Sequence, residues 1–165
     1  MRTLYLTSVT LHVLAAVFWL GGMLFLGLVG APVLRRVQPA ALRARLFAEI
    51  GTAFRTAGWA AIGVLVVTGV ANLAFHGVLR DGRWADPALW ASPYGRALAA
   101  KLAAVAVMVT ASALHDFVLG PRAARLDPGS VEAVRMRTRA AWLARVNALV
   151  GVLLVIAAVR LARGG

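Results

Sequence analysis

Hydrophobic positions fall in four long runs, parted by shorter segments that carry most of the arginines. The runs cover residues 4–30, 57–77, 97–119 and 141–160, and each meets the ~20 mostly apolar residues that a membrane-crossing helix needs. Residues 39–55 read differently. Leu42, Leu46, Phe47, Ile50 and Phe54 alternate with Arg43, Arg45 and Glu49, which makes an amphipathic helical segment. Pro39 suits its first turn, and no strong breaker separates it from Trp59, so it extends the second run. The pattern predicts an all-α integral membrane protein, an up-down four-helix bundle forming one domain over residues 1–165.

Each run carries its own polar positions. In the third, Arg96 to Arg122, helical spacing sets Lys101, Ala104, Met108, Ser112 and His115 on one stripe, with Asp116 beside it. Ionisable groups in hydrocarbon cost about 3 kcal/mol or more, so this stripe must face other helices or a cavity. His12, Ala16, Trp19 and Met23 share a face of the first run, where Gly21 and Gly22 allow close helix approach. Thr68, Asn72 and His76 form a ridge on the second run, and Asn147 is the strongly polar position of the fourth.

Residues 77–94 are the longest non-helical stretch, with turn-forming Pro, Gly and Asp and with Trp84, Trp90 and Tyr94 suited to a membrane interface. Ala31-Pro32 closes the first run and Gly120-Pro121 the third. Asp127-Pro128-Gly129 marks a turn, and Ser130 is placed to cap the last helix.

Composition narrows the function classes. With 61% hydrophobic residues the chain is too apolar for a water-soluble domain of this size. The net charge of +12 sits between and beside the apolar runs, which reads as membrane topology and argues against a nucleic-acid partner. The absence of cysteine excludes disulfides, thiolate metal sites and iron–sulfur clusters. The first run is too long for a signal-peptide core and lacks a small-residue cleavage site, so it reads as retained. Arg35, Arg36, Arg43, Arg45, Arg55, Arg122, Arg125, Arg135, Arg137 and Arg139 fall after runs one and three. Arg2, Arg80, Arg83, Arg96, Arg160 and Arg163 fall on the other side. The bias puts both termini and the aromatic loop outside the cytoplasm of a bacterial-type inner membrane.

At about 1.5 Å per residue, His12, Asn72 and Lys101 lie at a similar depth below the outer surface, with His76 near the rim. That polar layer suits two cofactor chemistries. Copper would use imidazole with thioether sulfur, drawing on His12, His76, Met108 and His115. Haem b would take His12, His76 or His115 as axial ligand, with Lys101 or an arginine pairing its propionates, and the polar site near the outer face is built on His12, Asn72 and Lys101. The simpler reading of His115-Asp116, next to Arg35, Arg36 or Arg122, is a salt-bridged helix end at the headgroups, and of Met23 and Met108, packing. There is no Ser-His-Asp set, phosphate-cradling loop or spaced zinc motif, so nothing argues for hydrolytic or nucleophilic catalysis.

LHVLAAVFWLGGMLF and APVLRR, then GWAAIGVLVVTGVANL, GRALAAKLAAVAVM and HDFVLGPR, resemble in order and spacing the CopD-like (copper-resistance protein D) membrane proteins. The similarity runs through the first three runs and weakly into the fourth. It implies an inner-membrane bundle linked to copper uptake or homeostasis. Other CopD proteins are larger, so the chain is expected to be their C-terminal unit standing alone. The layout of His12, Trp19, Gly21, Gly22 and Lys101 is also similar to HemJ-type protoporphyrinogen oxidases, which implies haem b. A third possibility is a small structural subunit, joining a homo-oligomer or a larger membrane complex through its glycine faces.

Overall fold

The computed structural model describes residues 1–127 and 130–162, so Pro128 and Gly129 of the expected turn, and Arg163, lie outside the described residues. The protein is all-α. Four of its helices are long and apolar enough to cross a membrane. They are α1 (Arg2–Leu34), α2 (Ala40–Phe75), α4 (Pro93–Ala124) and α5 (Val131–Ala162), with a short α3 (Pro87–Ala91) before α4. The chain divides into two compact units, Met1–Arg96 and Ala97–Gly165.

In the first unit α1 packs along α2. The face α1 turns to α2 is set by small residues. Trp19 is buried and lies over Gly58, where a Cβ would sit 3.6 Å from the indole Cδ1. At Gly22 a Cβ would clash with the Cε2 edge of the Phe54 ring, so the absence of a side chain lets that ring lie where it does. The rest of α1 is apolar and uncovered: Leu4, Leu6, Leu11, Val13, Leu14, Val17 and Phe18 are each about half exposed or more. An apolar surface that large needs a covering, and a bilayer supplies it. The chain is a multi-pass membrane protein.

α2 is one uninterrupted helix of 36 residues, about 54 Å long at 1.5 Å per residue. Its apolar stretch matches a hydrocarbon core of about 30 Å, so its first four turns, with Arg43, Arg45 and Glu49, lie past the core. Arg45 and Glu49 are paired there at 2.7 Å.

The far end of α2 stops in a glycine-terminated turn. Gly77 takes φ +73°, the Gly77 N–H donates to the Ala74 carbonyl, and the Val78 N–H donates to that of Leu73. Val78 is buried, which supplies the apolar contact that accompanies this kind of helix end. The stretch read as non-helical holds a 3₁₀ turn at Arg83–Ala85 and then α3, which Asp86 caps by accepting from Ala88 N–H at 2.8 Å. Trp90 Nε1 donates to the Trp84 carbonyl at 2.8 Å, so part of this aromatic loop closes on itself.

α1 and α4 share a device. Each contains a π-helical turn, Leu26–Gly30 and Leu114–Leu119, shortly before a proline, Pro32 and Pro121. Proline lacks an N–H, and its ring collides with the carbonyl four residues back. The wider turn absorbs this, so helical geometry continues past Ala31-Pro32 to Leu34 and past Gly120-Pro121 to Ala124.

In the second unit α5 packs against the π-turn and last turn of α4. Its buried residues are mostly alanines, Ala123, Ala133, Ala140 and Ala148, with Met108. Close approach of small side chains is how membrane helices hold each other where apolar exclusion is absent. Ser130 caps α5, accepting from Ala133 N–H at 3.1 Å.

Candidate functional site

The polar positions of α1 and α2 meet on the shared face. Tyr5, Ser8 and His12 lie at steps of three and four along α1; Thr68, Asn72 and His76 lie at steps of four along α2. Because the helices are antiparallel, the two series interlock. Ser8 Oγ is 2.9 Å from Asn72 Oδ1 and 3.3 Å from the Thr68 carbonyl, and it donates its hydrogen there. His12 Nδ1 is 2.9 Å from Thr68 Oγ1. Tyr5 Oη is 3.5 Å from His76 Nε2 at the end of the row. Ser8 and Thr68 are buried, His12 and Asn72 are part-covered, and His76 is exposed.

The geometry assigns the tautomer of His12. Thr68 Oγ1 is 2.6 Å from the Val64 carbonyl, which can only accept. The hydroxyl spends its single hydrogen on that carbonyl and offers a lone pair to His12. In this arrangement His12 Nδ1 donates, and a neutral ring carries its lone pair on Nε2. The Cε1 side of the ring lies against Gly69, 3.5 Å from where a Cβ would stand.

The other sequence-predicted residues lie elsewhere. Lys101 is exposed, in the first third of α4, within the second unit. Met108 is buried on the same helix, with 3% of its surface accessible, which suits packing. His115 Nδ1 and Asp116 Oδ1 are 2.8 Å apart within the π-turn. On a regular helix sequence neighbours do not face one another. Asn147, buried in α5, donates through Nδ2 to Ser112 Oγ at 2.9 Å and so ties α5 to α4.

Two residues central to these contacts, Ser8 and Tyr5, were not singled out by the sequence. A signal for both existed, since they continue the His12 stripe at steps of three and four. Serine and tyrosine near a helix start are ordinary residues, however, and carry no charge to draw attention.

Among the described residues, no three or more His, Cys, Asp or Glu side chains come together in a way that could hold a metal ion. The donor set around His12 is one imidazole with hydroxyl and amide oxygens. That set does not fit a closed, multi-ligand resident copper centre, which wants several nitrogen or sulfur donors. It fits a single imidazole contact.

Residues 48–161 match the family described as "Copper resistance protein D". The match takes in Thr68, Asn72, His76, Lys101, Met108, Ser112, His115 and Asn147, and it begins after α1, so Ser8 and His12 lie outside it. The fourth run, where the sequence motifs are weakest, is within it. A protein of Aquifex aeolicus (strain VF5), described as uncharacterized, is 32% identical over 155 residues, covering 93% of this chain and 92% of its own. No solved structure matches. The chain belongs to the copper resistance protein D family.

Proposed function

We propose that this protein handles copper as a cargo, with His12 Nε2 as the metal-contacting atom inside the membrane. The observation that supports this is the His12–Thr68 contact of 2.9 Å, which holds the imidazole between two helices. Membership of the copper resistance protein D family supports the choice of metal. One imidazole with oxygen neighbours binds weakly enough to release a cargo, which suits transfer better than storage. His115 and Met108 are left with structural roles, a paired helix end and packing. The arginine bias supports a reading in which both termini lie on the non-cytoplasmic face of a bacterial-type inner membrane.

The test is a His12→Ala variant, followed by copper content of the purified protein and copper tolerance of cells that carry it. A change in either is expected. Unchanged values in both would remove His12 from copper handling.

One observation favours a second reading. A lone imidazole of fixed tautomer also suits a haem b axial ligand, which needs only one histidine from the chain. A visible spectrum of protein from haem-replete cells separates the two. A Soret band lost in His12→Ala supports haem; colourless protein with copper bound supports the cargo reading.

A further inference from the structure

The buried and exposed residues of α5 fall on opposite sides of the helix. Ala133, Ala140, Asn147 and Ala148 are buried on the side that packs against α4. Arg135, Arg139, Trp142, Arg145, Leu149 and Leu153 recur at steps of three and four on the other side, and all six are exposed. Counted back from Arg160 in the sequence, a hydrocarbon core of about 30 Å begins near Ala141. Arg135 and Arg139 then lie at the headgroups and Trp142 at the boundary, where indole rings concentrate. Arg145 lies four residues inside, about 6 Å deep at 1.5 Å per residue.

We propose that this stripe binds one anionic phospholipid, with its phosphate held by Arg135, Arg139 and Arg145 and its acyl chains laid along Leu149 and Leu153. Among the described residues, no carboxylate or other acceptor pairs with any of the three arginines. A guanidinium on an exposed side of a helix within hydrocarbon is costly unless it snorkels to the interface or meets an anion. A lipid phosphate answers both needs, because it sits at the interface and accepts two N–H bonds from the guanidinium fork. A cavity of about 440 Å³ opens at the headgroup end of the stripe, lined by Val131, Glu132, Arg135, Met136 and Arg139. Two guanidiniums against one carboxylate leave it basic, and Glu132 offers an acceptor to a headgroup hydroxyl.

The order of chemistry along the stripe is that of a phospholipid: charge, then an interfacial ring, then hydrocarbon. A second copy of the chain fits poorly. In the same membrane orientation it would bring the same arginines to the same depth, and like charges repel there with little screening. Arginines that only set topology act through their number near the span ends. A lipid site depends instead on which arginines they are, and that difference decides the test.

Native mass spectrometry of the intact protein in detergent, titrated with phosphatidylglycerol, reads stoichiometry and affinity together. One lipid per chain should be retained, and phosphatidylcholine at the same concentration should bind more weakly. Arg145→Gln and Arg139→Gln should each weaken phosphatidylglycerol about fivefold, the share of one basic residue beside an anionic lipid. Arg139 lies outside the core, so its variant reports even where Arg145→Gln fails to insert. Arg36→Gln removes the same charge from an exposed position just past α1 and should leave the affinity unchanged. An equal loss in Arg36→Gln would reduce the stripe to general surface charge and overturn the proposal. So would equal retention of phosphatidylcholine, displacement of the lipid by glycerol 3-phosphate at matched concentration, or a dimer in place of the lipid adduct.

Discussion

The Thr68 hydroxyl oxygen stands 2.9 Å from Nδ1 of His12 and 2.6 Å from the Val64 carbonyl, so one side chain sets both the position and the tautomer of the intramembrane imidazole. Two helices meet through that oxygen. Its backbone bond is internal to α2, and its imidazole bond reaches α1.

Thr68→Val keeps the shape of the side chain and removes the acceptor. Partners that orient a metal-binding histidine are worth on the order of 10–100-fold in affinity, and if His12 binds copper as proposed, a loss of that size is expected. Thr68→Ser should retain most of it. Metal titration of the two purified variants checks this, and equal affinities would mean that Thr68 only fills space.

Asn147 and Ser112 join α5 to α4 at 2.9 Å. Hydrogen bonds between membrane helices average about 0.6 kcal/mol and reach about 1.7 kcal/mol. A double-mutant cycle with Ser112→Ala and Asn147→Ala, read by thermal unfolding in detergent, should give a coupling in that range. Additive effects would show that the contact carries no energy of its own.

Gly22 and Phe54 occupy one space between them. Gly22→Ala puts a methyl against the Cε2 edge of the Phe54 ring, which must shift, and should destabilise by about 1–3 kcal/mol, the usual cost of overpacking. Phe54→Ala in the same chain should recover part of the loss, because the new methyl then has room. Unfolding midpoints of the two single variants and the double variant decide it.

Gly95 is required by the backbone rather than by a ring. A Cβ there would collide with the Leu89 carbonyl, which also accepts from Ser92 Oγ at 2.5 Å. Gly95→Ala cannot be relieved by moving a side chain, so it should disturb the α3–α4 junction more than Gly22→Ala disturbs α1 and α2. Faster proteolysis of the loop at residues 77–93 in Gly95→Ala would report the disturbance; wild-type resistance would contradict it.

Much of the candidate site is legible as spacing. Thr68, Asn72 and His76 at four-residue steps could only form a ridge on a helix, and His12 had to share a face with Trp19. The fate of His115 and Asp116 was harder to read, because sequence neighbours do not face each other on a regular helix, and a π-turn before a proline cannot be seen in the residue pattern. Ser8 was missed because a lone serine becomes informative only when its partner across the helix pair is known.

The four apolar runs, the arginine-bearing segments and the absence of cysteine determined by themselves an all-α membrane chain and excluded thiolate chemistry. The reason is that membrane insertion depends on the transfer of a whole segment, which is a sum over its residues and indifferent to what lies beside it. Tertiary structure alone decided that Ser8 meets Asn72, that Thr68 meets His12, and that Tyr5 meets His76. Those pairings depend on the register between antiparallel helices. Register is set by which bulky residue finds which gap, Trp19 over Gly58 and Phe54 over Gly22, and that is a property of two surfaces together.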